Sequence, residues 1–108
     1  MIIERHMYCS LQEFFDVLVE AVINDIYVST NQKITKSKLK KGYTYLKYIT
    51  NKKNQKATAT IKEYEEPKRY SLEIVSKNGR TLMDYTIKEL NDHTIKIIYK
   101  EEYRKNND

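Results

Sequence analysis

The sequence predicts an α+β fold: a curved antiparallel sheet of about six strands, arranged as a meander, with one long helix inserted between strands one and two. Two observations lead to this prediction. Only residues 10–27 have the apolar spacing of a long helix. The rest of the chain alternates short runs of β-branched and aromatic residues with turn residues, a pattern typical of strands. We expect a single domain over residues 1–108.

The composition limits the class of protein. A chain of 108 residues and 13.0 kDa fits one domain with a modest core. Its single cysteine excludes an internal disulfide, and it opens on a strand-like run rather than a signal peptide, so we expect a cytoplasmic protein. No apolar run approaches the ~20 residues that a membrane span requires.

A lysine-rich block over residues 26–62 concentrates the positive charge. Its ten lysines and lack of Asp or Glu give +10, while the other ten basic residues against fifteen acids leave −5 elsewhere. Such charge asymmetry is typical of a protein that binds an anionic partner, but it also arises when lysines fill solvated loop positions. Without arginine, the block favours weak attraction over specific readout of nucleic acid. The patch we predict here consists of Lys36, Lys38, Lys40, Lys41, Lys52 and Lys53.

Residues 2–8 are predicted as the first strand, and the helix follows. Ser10 is a suitable N-cap, and Glu13 lies three residues on, as in a capping box. The apolar residues of the helix spread over roughly 200° of arc, wider than the ~100° stripe of a surface helix. We therefore expect burial on more than one flank. Three residues at one edge of this arc are expected to lack a partner within the chain: Leu11, Val19 and Ile26.

The second and third strands are predicted at residues 43–50 and 57–65, with a turn at 51–54 between them. Pro67 then interrupts the sheet, because proline has no amide to donate to a ladder. Alternation along the third strand places four residues on the face expected to meet the helix: Ala57, Ala59, Ile61 and Glu63.

Residues 70–77 form the fourth predicted strand, followed by Asn78 and Gly79 as a two-residue hairpin turn with Lys77 opposite Arg80. This register puts three apolar pairs on one face: Ile74 with Met83, Leu72 with Tyr85, and Tyr70 with Ile87.

The last strand is predicted at residues 94–103. We expect a three-residue turn at 91–93, because an odd number of turn residues keeps Ile95, Ile97 and Tyr99 on the same face as Tyr85. His93 is then a turn residue rather than a catalytic one.

The residues offer no known catalytic constellation. The two glycines are far apart, no Cys/His cluster has metal-ligand spacing, and both histidines have structural explanations. We expect no enzyme, no cofactor and no metal. The chain does have ten tyrosines, and amphipathic rings on one sheet face can line a ligand groove. Tyrosines at the rim of a small core would give the same pattern. The candidate ligand-binding residues are Tyr45, Glu63, Tyr70, Tyr85 and Tyr99.

Several motifs carry a resemblance over nearly the whole chain. They are Ser-x-x-Glu-Phe-Phe-Asp-Val-Leu at 10–18, Lys-Gly-Tyr at 41–43, Glu-Glu-Pro-x-x-Tyr at 65–70, and Asp-Tyr-x-Ile ahead of Asp-His-Thr within 84–94. This pattern resembles a family of uncharacterised small proteins of low-GC Gram-positive bacteria. More distantly, the order of elements is similar to the START-like, or helix-grip, superfamily, in which a curved sheet wraps a helix around an apolar cavity.

The resemblance implies a non-enzymatic domain that binds a small molecule or a lipid. Helix-grip domains normally finish with a long C-terminal helix, whereas this sequence ends just after its last strand. We therefore expect a homodimer in which the unpartnered helix flank, or an open sheet face, packs on its two-fold mate. The alternative function is an interaction module whose block 26–62 binds an acidic protein, nucleic acid or an anionic surface.

Overall fold

A computed structural model of the protein describes residues 1–48 and 56–106. The elements are β1 (Ile2–Met7), α1 (Leu11–Thr30), a 3-10 turn (Lys36–Lys38), β2 (Thr44–Tyr48), β3 (Lys56–Glu65), β4 (Arg69–Val75), β5 (Gly79–Asn91) and β6 (Thr94–Lys105). The six strands in these residues form one antiparallel sheet in the order β1-β6-β5-β4-β3-β2. This confirms the predicted fold class, and β6 ends the described chain without a further helix. The predicted turn at 51–54 lies outside the described residues.

The predicted start of α1 is confirmed by its hydrogen bonds. The Glu13 amide donates to Ser10 Oγ at 3.1 Å, and the Ser10 amide donates to Glu13 Oε1 at 3.0 Å, which completes the capping box. The helix continues to Thr30, beyond its predicted end. Asn31 then stops it in the left-handed region, at φ 61°, and donates its amide to the Tyr27 carbonyl at 2.8 Å.

The fully buried residues of α1 form a single stripe. Phe15, Val19, Val22 and Ile26 are buried, whereas Val17 on the opposite side is 63% exposed. Half-buried Phe14 and Leu18 on one side of this stripe, and Ile23 on the other, also pack against the core, so the helix is buried on both flanks of the stripe, as predicted. The expected unpartnered flank is wrong: Val19 and Ile26 are buried within the chain, and half-buried Leu11 packs against the same core.

The inner face of β3 is confirmed only up to Ile61. Ala57, Ala59 and Ile61 are buried as predicted. The register then shifts between Ile61 and Glu63, so that one extra residue is inserted and the alternation reverses. Glu63 consequently pairs with Ser71 on the helix-free face, which corrects its predicted position.

The hairpin between β4 and β5 turns one residue earlier than predicted. The Ser76 amide donates to the Gly79 carbonyl at 2.8 Å, which leaves Lys77 and Asn78 as the two turn residues. Gly79 instead begins β5, where an added Cβ would collide with the Arg104 carbonyl oxygen on β6. The glycine is therefore required for close strand approach rather than for a positive φ.

As a result the β4–β5 register differs from the predicted one by two residues. Tyr70 pairs with Tyr85 instead of Ile87. The predicted partners of Leu72 and Ile74 shift in the same way, to Met83 and Thr81. Because a shift of two residues preserves the side-chain alternation, the predicted inner face is retained.

The β5–β6 register is confirmed. Tyr85 pairs with Tyr99, and Ile87 pairs with Ile97. The turn itself is shorter than predicted, since Asn91 pairs with Thr94 and a register shift between Glu89 and Asn91 absorbs the extra residue. His93 lies in this turn, as expected.

The edge strand β1 lies outside the part of the sheet that α1 covers. It pairs with β6 along its whole length, yet all six of its residues are exposed. The helix packs closest on β2 and β5. No helix in the described part of the chain combines the length and the apolar character needed to cross a membrane.

Candidate functional site

An open groove of about 170 Å³ lies between α1 and the sheet. From the helix, Leu18, Ala21 and Asp25 line it. From the sheet, Tyr45 and Tyr70 line it together with Tyr85 and apolar residues of β4 and β5. Its walls are mainly apolar, with a few polar groups, as in binding sites for small molecules.

Asp25 supplies the charged group of this groove, and each of its carboxylate oxygens accepts a hydrogen bond. Tyr45 Oη donates to Oδ2 at 2.6 Å, and Lys47 Nζ donates to Oδ1 at 2.7 Å. Burial raises the pKa of the Tyr45 phenol far above its ordinary value, and the hydrogen bond to Asp25 raises it further. The three side chains together tie the C-terminal half of α1 to the edge strand β2.

Tyr70 supplies a hydrogen-bonding group that is not engaged. Tyr70 is only 4% exposed, and its hydroxyl has no hydrogen-bond partner among the described residues. Burial raises the Tyr70 pKa well above the ordinary tyrosine value, followed by the Asp25 charge, so this hydroxyl remains protonated. A buried donor without a partner carries a desolvation penalty of about 1–3 kcal/mol.

A row of tyrosines extends from the groove across four strands. Strand pairing places Tyr64 of β3 beside Tyr70, Tyr70 beside Tyr85, and Tyr85 beside Tyr99. The Tyr85 and Tyr99 rings lie closest, with centroids 4.7 Å apart. Tyr99 Oη donates to Glu101 Oε1 at 2.7 Å. Burial first, then this hydrogen bond, raises the Tyr99 pKa.

The structure brings together most of the candidate ligand-binding residues. Tyr45, Tyr70 and Tyr85 line the groove, and Tyr99 contacts it through Tyr85. Glu63 does not join them, because it lies on the other face, 3.7 Å from Lys41 Nζ.

Three relevant residues were missed by the sequence analysis. Asp25 lies three residues after Val22, a spacing that places it beside the apolar stripe of α1 and that could have identified it. Lys47 follows Tyr45 by two, on the same face of β2, which is the corresponding signal. Tyr64 carried no such signal, because the register shift in β3 reverses its face.

The predicted basic patch is partly neutralised within the chain. Lys36 Nζ lies 2.6 Å from Glu66 Oε2 and 3.7 Å from Asp16 Oδ1, and the hydrogen bond to Glu66 raises the Lys36 pKa. Lys41 pairs with Glu63. By contrast, Lys38 and Lys40 are exposed and form no ion pair within the described residues. The remaining predicted patch residues, Lys52 and Lys53, lie outside those residues.

No cluster of three His, Cys, Asp or Glu side chains is placed to hold a metal ion within residues 1–48 and 56–106. The polar groups that line the groove belong to its tyrosines and to the Asp25–Lys47 pair.

In the part of the chain that the structure describes, one long α-helix lies on one face of a six-stranded antiparallel sheet, with a groove between them, an α+β arrangement consistent with a helix-grip-like fold. The chain belongs to the DUF3284 family, described as a domain of unknown function, whose model matches residues 1–108. A solved structure of an uncharacterised protein from Rhizobium leguminosarum is similar in fold, with a TM-score of 0.61 and 15% identity. That match covers 95% of this chain and 74% of the other. The search of curated proteins finds no match.

Proposed function

We propose that the chain is a cytoplasmic, non-enzymatic domain of START-like type that binds a small apolar or amphipathic molecule, such as a lipid, in the groove between α1 and the sheet. The observation that carries this proposal is the Tyr70 hydroxyl, which is buried at the groove without a hydrogen-bond partner among the described residues. A bound molecule would give this donor its missing acceptor.

The walls of the groove support the same proposal. Leu18 and Ala21 from α1 face Leu72, Ile74 and Met83 from the sheet, which provides apolar contact on both sides. The adjacent tyrosine rings add amphipathic surface, with apolar bodies and polar tips. The order of elements, which resembles that of the START-like superfamily, implies ligand binding in an apolar cavity between helix and sheet.

Native mass spectrometry of freshly purified protein tests this proposal. We expect a small molecule that remains bound under gentle conditions and is released on unfolding. The Ala21→Trp variant, at an exposed position lining the groove, should fill it and lose the bound molecule. The Val17→Trp variant is the matched control, because Val17 is exposed on the same helix but does not line the groove.

Two outcomes would count against a binding groove. One is a wild-type protein that retains nothing and takes up no apolar compound on incubation. The other is an Ala21→Trp variant that folds and retains the same molecule as the wild type.

The alternative proposal is an interaction module that uses the lysine-rich block. Its support is the pair of exposed lysines Lys38 and Lys40, which form no ion pair with any residue that the structure describes. The ion pairs of Lys36 and Lys41 reduce the charge that such a surface offers. Ionic strength separates the two functions: binding through lysines weakens steeply as salt rises, whereas apolar binding in the groove hardly responds.

We also propose that the chain forms a homodimer through its open sheet edge. The exposed apolar residues at this edge are Met1, Ile2, Ile3, Met7 and Tyr8. An exposed apolar edge strand favours pairing with another chain, and a second copy gives an isologous interface. Sedimentation equilibrium at micromolar concentration should show a dimer that Ile2→Lys weakens. A clean 13.0 kDa species would overturn this proposal.

A further inference from the structure

We propose that the ligand of the groove is an uncharged molecule, or the end of one, with the size of a single ring and with one hydrogen-bond acceptor that binds the Tyr70 hydroxyl. This inference rests on the proposed function. It adds the size, the charge and the polar group of the ligand.

The volume of the groove limits the size of the ligand. It measures about 170 Å³, close to the ~150 Å³ at which an apolar cavity accommodates benzene. Sites for larger, drug-sized molecules run from about 300 to 1,000 Å³. The groove is open on one side, so a longer molecule can extend outward, but only one ring or a short chain is enclosed.

The charged groups of the groove favour a ligand without net charge. Both oxygens of the Asp25 carboxylate already accept hydrogen bonds, one from Tyr45 and one from Lys47. Lys47 already pairs with this carboxylate, so a cationic ligand would have to compete with Lys47 for it. An anionic ligand would lose its hydration beside the Asp25 charge and would have to compete with Asp25 for Lys47. A neutral molecule avoids both costs.

The polar group follows from the two buried hydroxyls at the groove. Tyr45 Oη donates to Asp25 and is not available. Tyr70 Oη has no hydrogen-bond partner within residues 1–48 and 56–106, and in its protonated form it can donate one hydrogen bond. An alcohol, ether or carbonyl oxygen on the ligand is the matching acceptor.

The experiment is an NMR titration of the ¹⁵N-labelled protein, from which any co-purified molecule has been removed, with four one-ring probes. Benzyl alcohol has the ring and the acceptor, toluene has only the ring, and benzoate and benzylammonium add a negative or positive charge. We expect benzyl alcohol to shift the amides of groove residues and to bind about tenfold more tightly than toluene, a ratio typical of one net hydrogen bond. Both charged probes should bind more weakly than benzyl alcohol.

Two variants assign that preference to one hydroxyl. In Tyr70→Phe, benzyl alcohol and toluene should bind equally well, because the donor is absent while the ring remains. Tyr64→Phe is the matched control: its hydroxyl is also buried without a partner among the described residues, but Tyr64 does not line the groove. This variant should keep the wild-type preference. The wild-type comparison of the two neutral probes tests the inference even if a variant fails to fold.

The outcomes separate this inference from the proposed function. If toluene binds the groove as tightly as benzyl alcohol, or if a charged probe binds best, the inference is overturned while the groove remains a binding site. Loss of the preference in Tyr64→Phe would also overturn it. If no probe shifts the groove amides and no molecule co-purifies with the protein, both proposals fail.

Discussion

Strands β3 and β1 belong to the same sheet, and both contain large apolar residues, but of the two α1 covers only β3. On β3, Ala59 and Ile61 are completely buried. On β1, Ile2 and its neighbours are exposed along the whole strand. Composition does not explain this contrast, since three of the six residues of β1 are Ile or Met. The difference shows that the path of α1 over the sheet, rather than local hydrophobicity, decides which strands supply the core.

The path of α1 has identifiable anchors at its two ends. Near its start, Phe15 packs against Tyr64 with ring centroids 5.5 Å apart in an edge-to-face arrangement. Near its end, Asp25 binds Tyr45 and Lys47 of β2. Both anchors draw the helix toward the β2–β3 side of the sheet. The groove lies beside the C-terminal half of α1, where residues of β2, β4 and β5 face the helix.

The largest effect is expected from a substitution where α1 is buried against the sheet. Phe15→Ala removes a completely buried ring and should lower the free energy of unfolding by about 3–5 kcal/mol through a core cavity. Val17→Ala, two residues on but exposed, should change it by less than about 0.5 kcal/mol. Urea denaturation of both variants is the measurement. Similar midpoints for the two would mean that α1 is rotated relative to this structure.

A second test uses alkaline pH, because the covered region contains tyrosines of raised pKa. Burial raises the pKa of Tyr45, Tyr70 and Tyr99 in the folded protein. The folded chain therefore keeps these protons at a pH at which the unfolded chain loses them. Their contribution to stability is complete below the unfolded tyrosine pKa of about 10 and is lost as the pH rises above it.

This pH dependence can be followed by tyrosinate absorbance. At about pH 11, native protein should show less tyrosinate than the same protein in denaturant, and the free energy of unfolding should be lower than at neutral pH. Equal absorbance in a chain that is still folded would contradict the burial of these hydroxyls.

A third test compares the two buried hydroxyls within the groove. Tyr45→Phe removes one donor to Asp25 and should cost about 1–3 kcal/mol, because a part-buried carboxylate oxygen loses its partner. Tyr70→Phe removes a hydroxyl without a described partner and should be neutral or stabilising in ligand-free protein. Thermal unfolding of ligand-free samples measures both. A larger loss for Tyr70→Phe than for Tyr45→Phe would mean that Tyr70 has a partner within the chain.

Local signals in the sequence were sufficient for much of this fold. The capping box predicted the start of α1, since the side chains of Ser10 and Glu13 accept hydrogen bonds from each other's backbone amides. Parity of the turn length predicted that Tyr85 faces Tyr99, because every residue inserted into a strand reverses the faces. These signals depend on few residues and hardly on the rest of the chain.

The predictions were wrong where contacts with distant parts of the chain determine the local structure. The extra residue before Glu63 is accommodated within the β3–β4 pairing, and no local pattern marks it. Gly79 has the sequence of a hairpin turn, but β6 approaches it so closely that it is required within the ladder instead.

The smallest expected effect concerns β1 and sharpens the contrast with β3. At low protein concentration, where the chain is monomeric, Ile2→Ala should change the free energy of unfolding by less than about 0.5 kcal/mol, because Ile2 is 66% exposed. If a second copy covers this edge, the same substitution should become more costly as protein concentration rises, since association stabilises the folded state by mass action. Denaturation at several concentrations distinguishes the two cases. A large cost independent of concentration would mean that another part of the same chain covers β1, contrary to this structure.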